Sequence, residues 1–154
     1  MRDESAIADA ATRWAVDRMG DRSYSGRCLA FVEDAIERAN GIEIFGGSTA
    51  RESAEQYGPG QYDTDAPPPA GSLVFYSCEG PADGAWRDWG HVGIALGDGR
   101  VAHAWGVVRA DEATQIEALP PVSGWTPARL IGWVPLARVL EIVNVRVEHP
   151  FAVQ

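Results

Sequence analysis

Cys28, His91 and His103 are the side chains in this sequence whose types suit nucleophilic and proton-transfer chemistry, and their surroundings say how each is presented. A thiol becomes an effective nucleophile when a base takes its proton, and the base works best when a third polar group fixes its ring orientation and tautomer. Cys28 opens a run in which Cys28, Phe31, Val32, Ala35, Ile36 and Ala39 recur at helical spacing, with Glu33, Asp34, Glu37 and Arg38 on the other side and Asn40-Gly41 as a stop. With Ser25 as the expected cap, Cys28 falls in the first turn. There the unpaired backbone N–H groups and the positive end of the helix dipole favour thiolate over thiol, and the same N–H groups can hold an oxyanion.

The two histidines lie in one stretch, Asp88 to Trp105, where apolar runs flank Gly97-Asp98-Gly99. This is a tight hairpin signal. Because strand side chains alternate, the loop length decides whether the two rings share a face. A two-residue Asp98-Gly99 loop puts them on opposite faces. A three-residue loop with Gly99 left-handed sets Leu96 opposite Arg100, His91 opposite Trp105 and Gly93 opposite His103, and we expect this register. Both imidazoles then sit on one face with the small Gly93 and Ala95, while Val92, Ile94, Leu96, Ala102 and Ala104 make the other face apolar.

The elements that must position these groups read as follows. Ser5 to Met19 is an amphipathic helix stopped by Gly20. Thr49-Ala50-Arg51-Glu52 has the form of a capping box and opens a short helix to about Tyr57. Gly58 to Gly71, ending in Pro67-Pro68-Pro69, is an extended surface loop that links elements or borders a groove. Ser72 to Tyr76 is a strand, Gly80 to Gly84 a turn, Val107 to Ile116 a continuation of the sheet, and Leu130 to Val134 another strand. Leu136 to Val147 fits either a helix or a strand. Helices first and an antiparallel sheet after them mean an α+β fold.

The chain has 154 residues, 45% of them apolar, and a formal charge of −9 from 22 acidic and 13 basic residues. That length suits one domain over 1–154 with a real core. The acidity disfavours nucleic acid and anionic membranes as partners, and no apolar run is long enough to span a bilayer. Met1-Arg2-Asp3-Glu4 lacks the basic-then-apolar pattern of a signal peptide, so the expected location is the cytoplasm or a place reached by non-classical export. Two cysteines are too few for a disulfide framework.

Tyr24-Ser25-Gly26-Arg27-Cys28, then Gly71-Ser72-Leu73-Val74-Phe75, then Gly90-His91-Val92-Gly93-Ile94 with Gly97-Asp98-Gly99 and His103, resembles the NlpC family of papain-like bacterial cysteine peptidases. The related CHAP amidases share the Gly-x-Cys and Gly-His-Val pieces. The resemblance runs from Tyr24 to Trp105 and implies a papain-like, NlpC-like fold with N-terminal helices packed on an antiparallel sheet. It implies a cysteine amidohydrolase or endopeptidase that cleaves amide bonds in peptidoglycan-type stem peptides through a thioester, with a peptide or peptidoglycan fragment as partner and no cofactor. Carried over by position, Cys28 is the nucleophile, His91 the base and His103 the orienting residue, and Tyr24 contributes to the oxyanion hole. The sequence departs from many members in having Arg27-Cys28-Leu29-Ala30 in place of Asp-Cys-Ser-Gly and Gly71-Ser72 in place of Gly-Asp. Those differences bear on substrate specificity more than on chemistry.

Other readings of the same residues stay open at this stage. The same site suits acyl or amide transfer in a biosynthetic pathway, and a silent binding module would keep the fold alone. Cys28 is also read as a small core residue, as half of a disulfide with Cys78, or with His91 and His103 as a zinc ligand. His103 can serve as a hydrogen-bonded sheet residue, Tyr24 as packing, Trp86, Trp89 and Trp105 as core or rim, and His149 as an exposed side chain.

Overall fold

The computed structural model describes residues 3–141. His149 and the second half of the ambiguous 136–147 segment lie outside the described residues.

The first helix, α1, runs Glu4–Val16 and is capped by Asp3, whose carboxylate accepts from the Ala6 N–H at 2.8 Å. It ends a turn earlier than the periodicity suggests. Gly20, at φ 91°, instead donates its N–H to the Val108 carbonyl and ties this end to the sheet. The second helix, α2, is Cys28–Asn40, closed by Gly41 in the left-handed conformation as expected. Its N-terminus corrects one expectation. The N-cap is Arg27, with no side-chain cap bond, so Ser25 does not cap. A backbone turn takes over the entry, with Arg27 N–H donating to the Tyr24 carbonyl at 2.8 Å. The third helix, α3, is Ala50–Tyr57, and the Thr49 hydroxyl accepts from Glu52 N–H, as the capping box requires.

Among the described residues seven strands follow: β1 Leu73–Ser77, β2 Glu79–Ala82, β3 Ala85–Asp88, β4 His91–Ala95, β5 Arg100–Trp105, β6 Val107–Glu112 and β7 Arg129–Val134. Five form an antiparallel sheet in the order β6-β5-β4-β1-β7, and β2 and β3 make a separate hairpin. Gly80–Gly84 is therefore not a simple turn. The turn is Asp83-Gly84 alone, both at positive φ (50° and 76°), between the paired Ala82 and Ala85. The sheet does not extend to Ile116: β6 stops at Glu112 and a 3-10 turn occupies Gln115–Ala118. Residues 136–141 are helical.

Each face of the sheet has its own core. Leu73, Phe75, Val92, Ile94, Ala102 and Ala104 meet α1, α2 and α3 through Ala11, Phe31, Val32, Ala35, Ile36 and Ala54. On the other face Val74, Tyr76, Ala95 and Val101 pack with Ala113, Ile116 and Ala128. The β4–β5 register pairs Gly93 with His103 and bonds Leu96 to Arg100, as the three-residue loop predicts. Both histidines therefore lie on the face away from the helices, at the sheet end where α2 begins.

Candidate functional site

A cavity of about 760 Å³ opens at that end. Cys28 and Leu29 border it from α2, His91 and Gly90 from the start of β4, Trp105 and Gly106 from the end of β5, and Cys78 from the end of β1. Trp89, Val122 and Trp125 supply apolar wall. The 58–71 loop is absent from this lining, and its Gly60 pairs instead with Trp133 of β7. Of the tryptophans near His91 in sequence, Trp89 and Trp105 line the cavity, whereas Trp86 points to solvent with 58% of its surface exposed.

The histidines form a chain. His91 Nε2 lies 2.8 Å from His103 Nδ1, and His103 Nε2 lies 2.8 Å from Asp111 Oδ2. Arg109 grips the same carboxylate in bidentate fashion, Nε to Oδ2 at 2.7 Å and Nη2 to Oδ1 at 3.0 Å. The β5–β6 register brings these groups together, pairing His103 with Arg109 and Val101 with Asp111 and so placing Asp111 diagonally across from His103. Gly93 makes room for the crossing. A Cβ there would come within 2.2 Å of Val101 Cγ1 and 3.0 Å of His103 Cβ. Trp105 stands edge-on to His91, ring centroids 5.0 Å apart, and Tyr76 closes the inner side at 5.8 Å.

The proton pattern follows from what each atom can do. Burial pushes the Asp111 carboxyl up, but the bonds from Arg109 and His103 outweigh it and hold it below the usual range, so it is ionised and only accepts. His103 Nε2 must then carry the hydrogen. Burial, only partly opposed by Asp111, keeps His103 below its usual pKa, so at neutral pH its Nδ1 is a bare acceptor. His91 Nε2 is then the donor and its Nδ1 carries the lone pair. Burial and the neighbouring His103 hold His91 well below the usual histidine range, so it too is neutral.

Burial pushes the Cys28 thiol up, while the N–H groups of Val92, Leu29 and Cys28 itself pull it the other way. The Val92 contribution places the sulfur beside the residue that follows His91. Asp88 shapes that approach. Its Oδ1 accepts from Cys78 N–H and Gly90 N–H, each at 2.9 Å, and its Oδ2 meets Arg51 Nη1 at 2.9 Å. Gly90, at φ 77°, runs so close to α3 that a Cβ would sit 2.6 Å from Arg51 N, which only glycine tolerates.

Tyr24 is taken away from the cavity, which corrects the expectation for it. Its hydroxyl donates to Asp34 Oδ2 at 2.6 Å, and its ring packs against Trp14 and Phe31. With its one proton committed, it anchors α2 and offers no donor to an oxyanion. Cys28 and Cys78 are free thiols that share the cavity. Burial pushes Cys78 up to about 11, and its Sγ lies 3.5 Å from the Thr126 carbonyl. Among the described residues no three His, Cys, Asp or Glu side chains converge as a metal site, and no helix is long and apolar enough to cross a membrane.

Sequence reasoning missed Asp111 and Arg109. Arg-Ala-Asp after a Gly106 turn was a usable signal only once the β5–β6 register was known.

No protein-family profile matches the sequence, and no curated protein matches it. Solved structures do. A lipoprotein-like NLP/P60 family protein from Staphylococcus aureus superposes over 88% of this chain and 43% of its own, with TM-score 0.55 and 17% identity. NlpC1 from Trichomonas vaginalis superposes over 87% and 46%, with TM-score 0.55 and 18% identity. RipD from Mycobacterium tuberculosis, described as a non-catalytic NlpC/p60 domain protein adapted to peptidoglycan binding, superposes over 81% and 96%, with TM-score 0.45 and 14% identity. The chain spans less than half the length of the first two. It has an α+β fold of the NlpC/P60 type.

Proposed function

We propose that this chain is a cysteine amidohydrolase acting on peptidoglycan-type stem peptides, with Cys28 as nucleophile, His91 as base and His103 as the group that orients it. The observation that carries the reading is the buried His91–His103–Asp111 chain at a cavity that Cys28 also lines. Such a chain leaves the His91 Nδ1 lone pair as the one free proton acceptor of the pair. The NlpC/P60-type fold and the spacing of the Gly-x-Cys and Gly-His-Val pieces support the same reading.

In the reaction, the Cys28 sulfur attacks the amide carbon as its proton passes to His91. Positive charge on His91 is stabilised through His103 by the Asp111 carboxylate. The oxyanion is held by N–H groups at the start of α2, and the helix dipole adds to their pull. His91 then gives its proton to the departing amine, leaving a thioester on Cys28, and water activated by His91 releases the acid. Because the thiol and the imidazole are both neutral at rest, proton transfer accompanies attack.

Incubation with purified muropeptides, read by mass, tests the proposal. Hydrolysis yields new free carboxyl and amine termini that a Cys28→Ala variant does not produce. Transfer to an added amine instead of water would replace this reading with the transferase one. Tight binding with no product from the wild type would replace it with a silent module.

A further inference from the structure

On its strand side the cavity wall is aromatic: Trp89, Trp105 and Trp125 all line it, and all three are partly exposed. Backbone holds each ring in place. Trp89 Nε1 donates to the Gly80 carbonyl at 2.9 Å, and the Arg87 guanidinium stacks on the same indole, 3.9 Å from its centroid. Trp105 Nε1 donates to the Pro120 carbonyl at 3.1 Å. Trp125 lies on Gly80 itself, since a Cβ there would come within 1.9 Å of its Cδ2 and 2.4 Å of its Cε2. Its neighbour Thr126 is tied to Glu79 twice, N–H to carbonyl at 2.8 Å and hydroxyl accepting from the Glu79 N–H at 2.9 Å. The β2–β3 hairpin stands outside the five-stranded sheet, and through Glu79 and Gly80 it is the frame that fixes two of the three rings.

An indole whose N–H is already committed offers only its apolar surface to a ligand. Val122 extends that surface with 66% of its own area exposed, and among the described residues of this wall only Asp83, at the hairpin turn, is charged. A sugar ring set here would leave most of its hydroxyls without side-chain partners, which disfavours it. The wall suits an apolar group. Its place relative to the reacting atoms follows from Trp105, whose ring stands edge-on to His91 with centroids 5.0 Å apart, and from Trp89, two residues before that histidine. During cleavage the carbonyl oxygen turns to the N–H groups at the start of α2, while the departing nitrogen must reach His91 to take its proton. Whatever the nitrogen carries therefore continues past His91 onto the tryptophans.

We infer that Trp89, Trp105 and Trp125 form the subsite for the amine side of the scissile bond, and that the group it takes is large and apolar, an aromatic side chain above all. The inference rests on the proposed reaction for its position beside the bond that breaks, and it adds a rule of selection. A small amine part leaves the rings wet, whereas an aromatic one covers them and removes its own apolar area from water.

The test reads binding in a full-length Cys28→Ser protein, so a wild type that hydrolyses nothing would overturn the proposed function and leave this result standing. Indole N–H signals of nitrogen-labelled protein are followed while L-phenylalaninamide is added, with glycinamide as the control that carries the same amine and N-acetylglucosamine as the sugar probe. Phenylalaninamide is expected to shift Trp89, Trp105 and Trp125 saturably, to leave Trp14 and Trp86 in place, and to bind at least tenfold tighter than glycinamide. Trp125→Ala should weaken it at least tenfold and Trp125→Phe, which keeps an aromatic face, about threefold, while Trp86→Ala binds as before. Equal binding of the two amides, no saturable shift, tighter binding of the sugar, or full binding by Trp125→Ala would overturn the inference.

Discussion

Replacing Asp111 with Asn removes the charge at the far end of the histidine chain while keeping the side chain's shape. Asp111 Oδ2 accepts from both His103 Nε2 and Arg109 Nε, so the amide oxygen takes that position and preserves the His103 tautomer. The amide nitrogen then faces Arg109 Nη2, which had been 3.0 Å from Oδ1, and drives the half-exposed guanidinium outward. What is lost is the negative charge that steadies an imidazolium two rings away. A hydrogen bond to a charged partner is worth about 1.5–3 kcal/mol. At about 1.4 kcal/mol per tenfold, any step in which His91 gains a proton slows about 10–150-fold. The assay is kcat/KM on the cleaved muropeptide, alongside nitrogen NMR of the histidine rings. The rate loss is expected with His103 and His91 both still protonated on Nε2. A rate within twofold of wild type would refute the argument that the chain works through Asp111.

Other consequences follow from the same contacts. Gly93→Ala forces a methyl against Val101 and the Ala102 carbonyl, 2.2 and 2.9 Å away, and overpacking of this kind costs about 1–3 kcal/mol. Thermal denaturation should show a melting temperature lower by roughly 3–10 °C. Tyr24→Phe loses the bond to Asp34, about 1–2 kcal/mol in chemical denaturation, and leaves the alkylation rate of Cys28 within twofold of wild type. Glu33, raised to about 7 from an ordinary value of 4.5, binds more protons folded than unfolded between those values, so it lowers stability as pH rises through that window. Glu33→Gln should therefore stabilise the chain by about 1–3 kcal/mol at pH 8, discounting the shift for partial exposure, with the gain fading toward pH 4.5.

How far the sequence foretold this site depends on the range of the signal. The β4–β5 register was legible because Gly97-Asp98-Gly99 is a local turn code, and one correct loop length places both rings on one face. The caps at Thr49 and Gly41 were legible for the same reason. Ser25 misled because the start of α2 is held by a backbone turn, which leaves no mark on side-chain type. Asp83-Gly84 carried the same code as the central hairpin, but short polar strands around it hid the pairing of β2 with β3. Asp111 was not legible, because eight residues separate it from His103 and its role exists only once β6 lies beside β5.

The most direct test of the nucleophile assignment is site-resolved alkylation by iodoacetamide at pH 7, with the two cysteines compared within one protein. Cys78, a thiol that burial and the nearby Cys28, Asp88 and Glu79 push up to about 11, is the internal reference. Cys28 is expected to react at least tenfold faster than Cys78, and the ratio to collapse toward one in His91→Ala. Equal rates at the two sulfurs, or a ratio that His91→Ala leaves unchanged, would contradict the assignment.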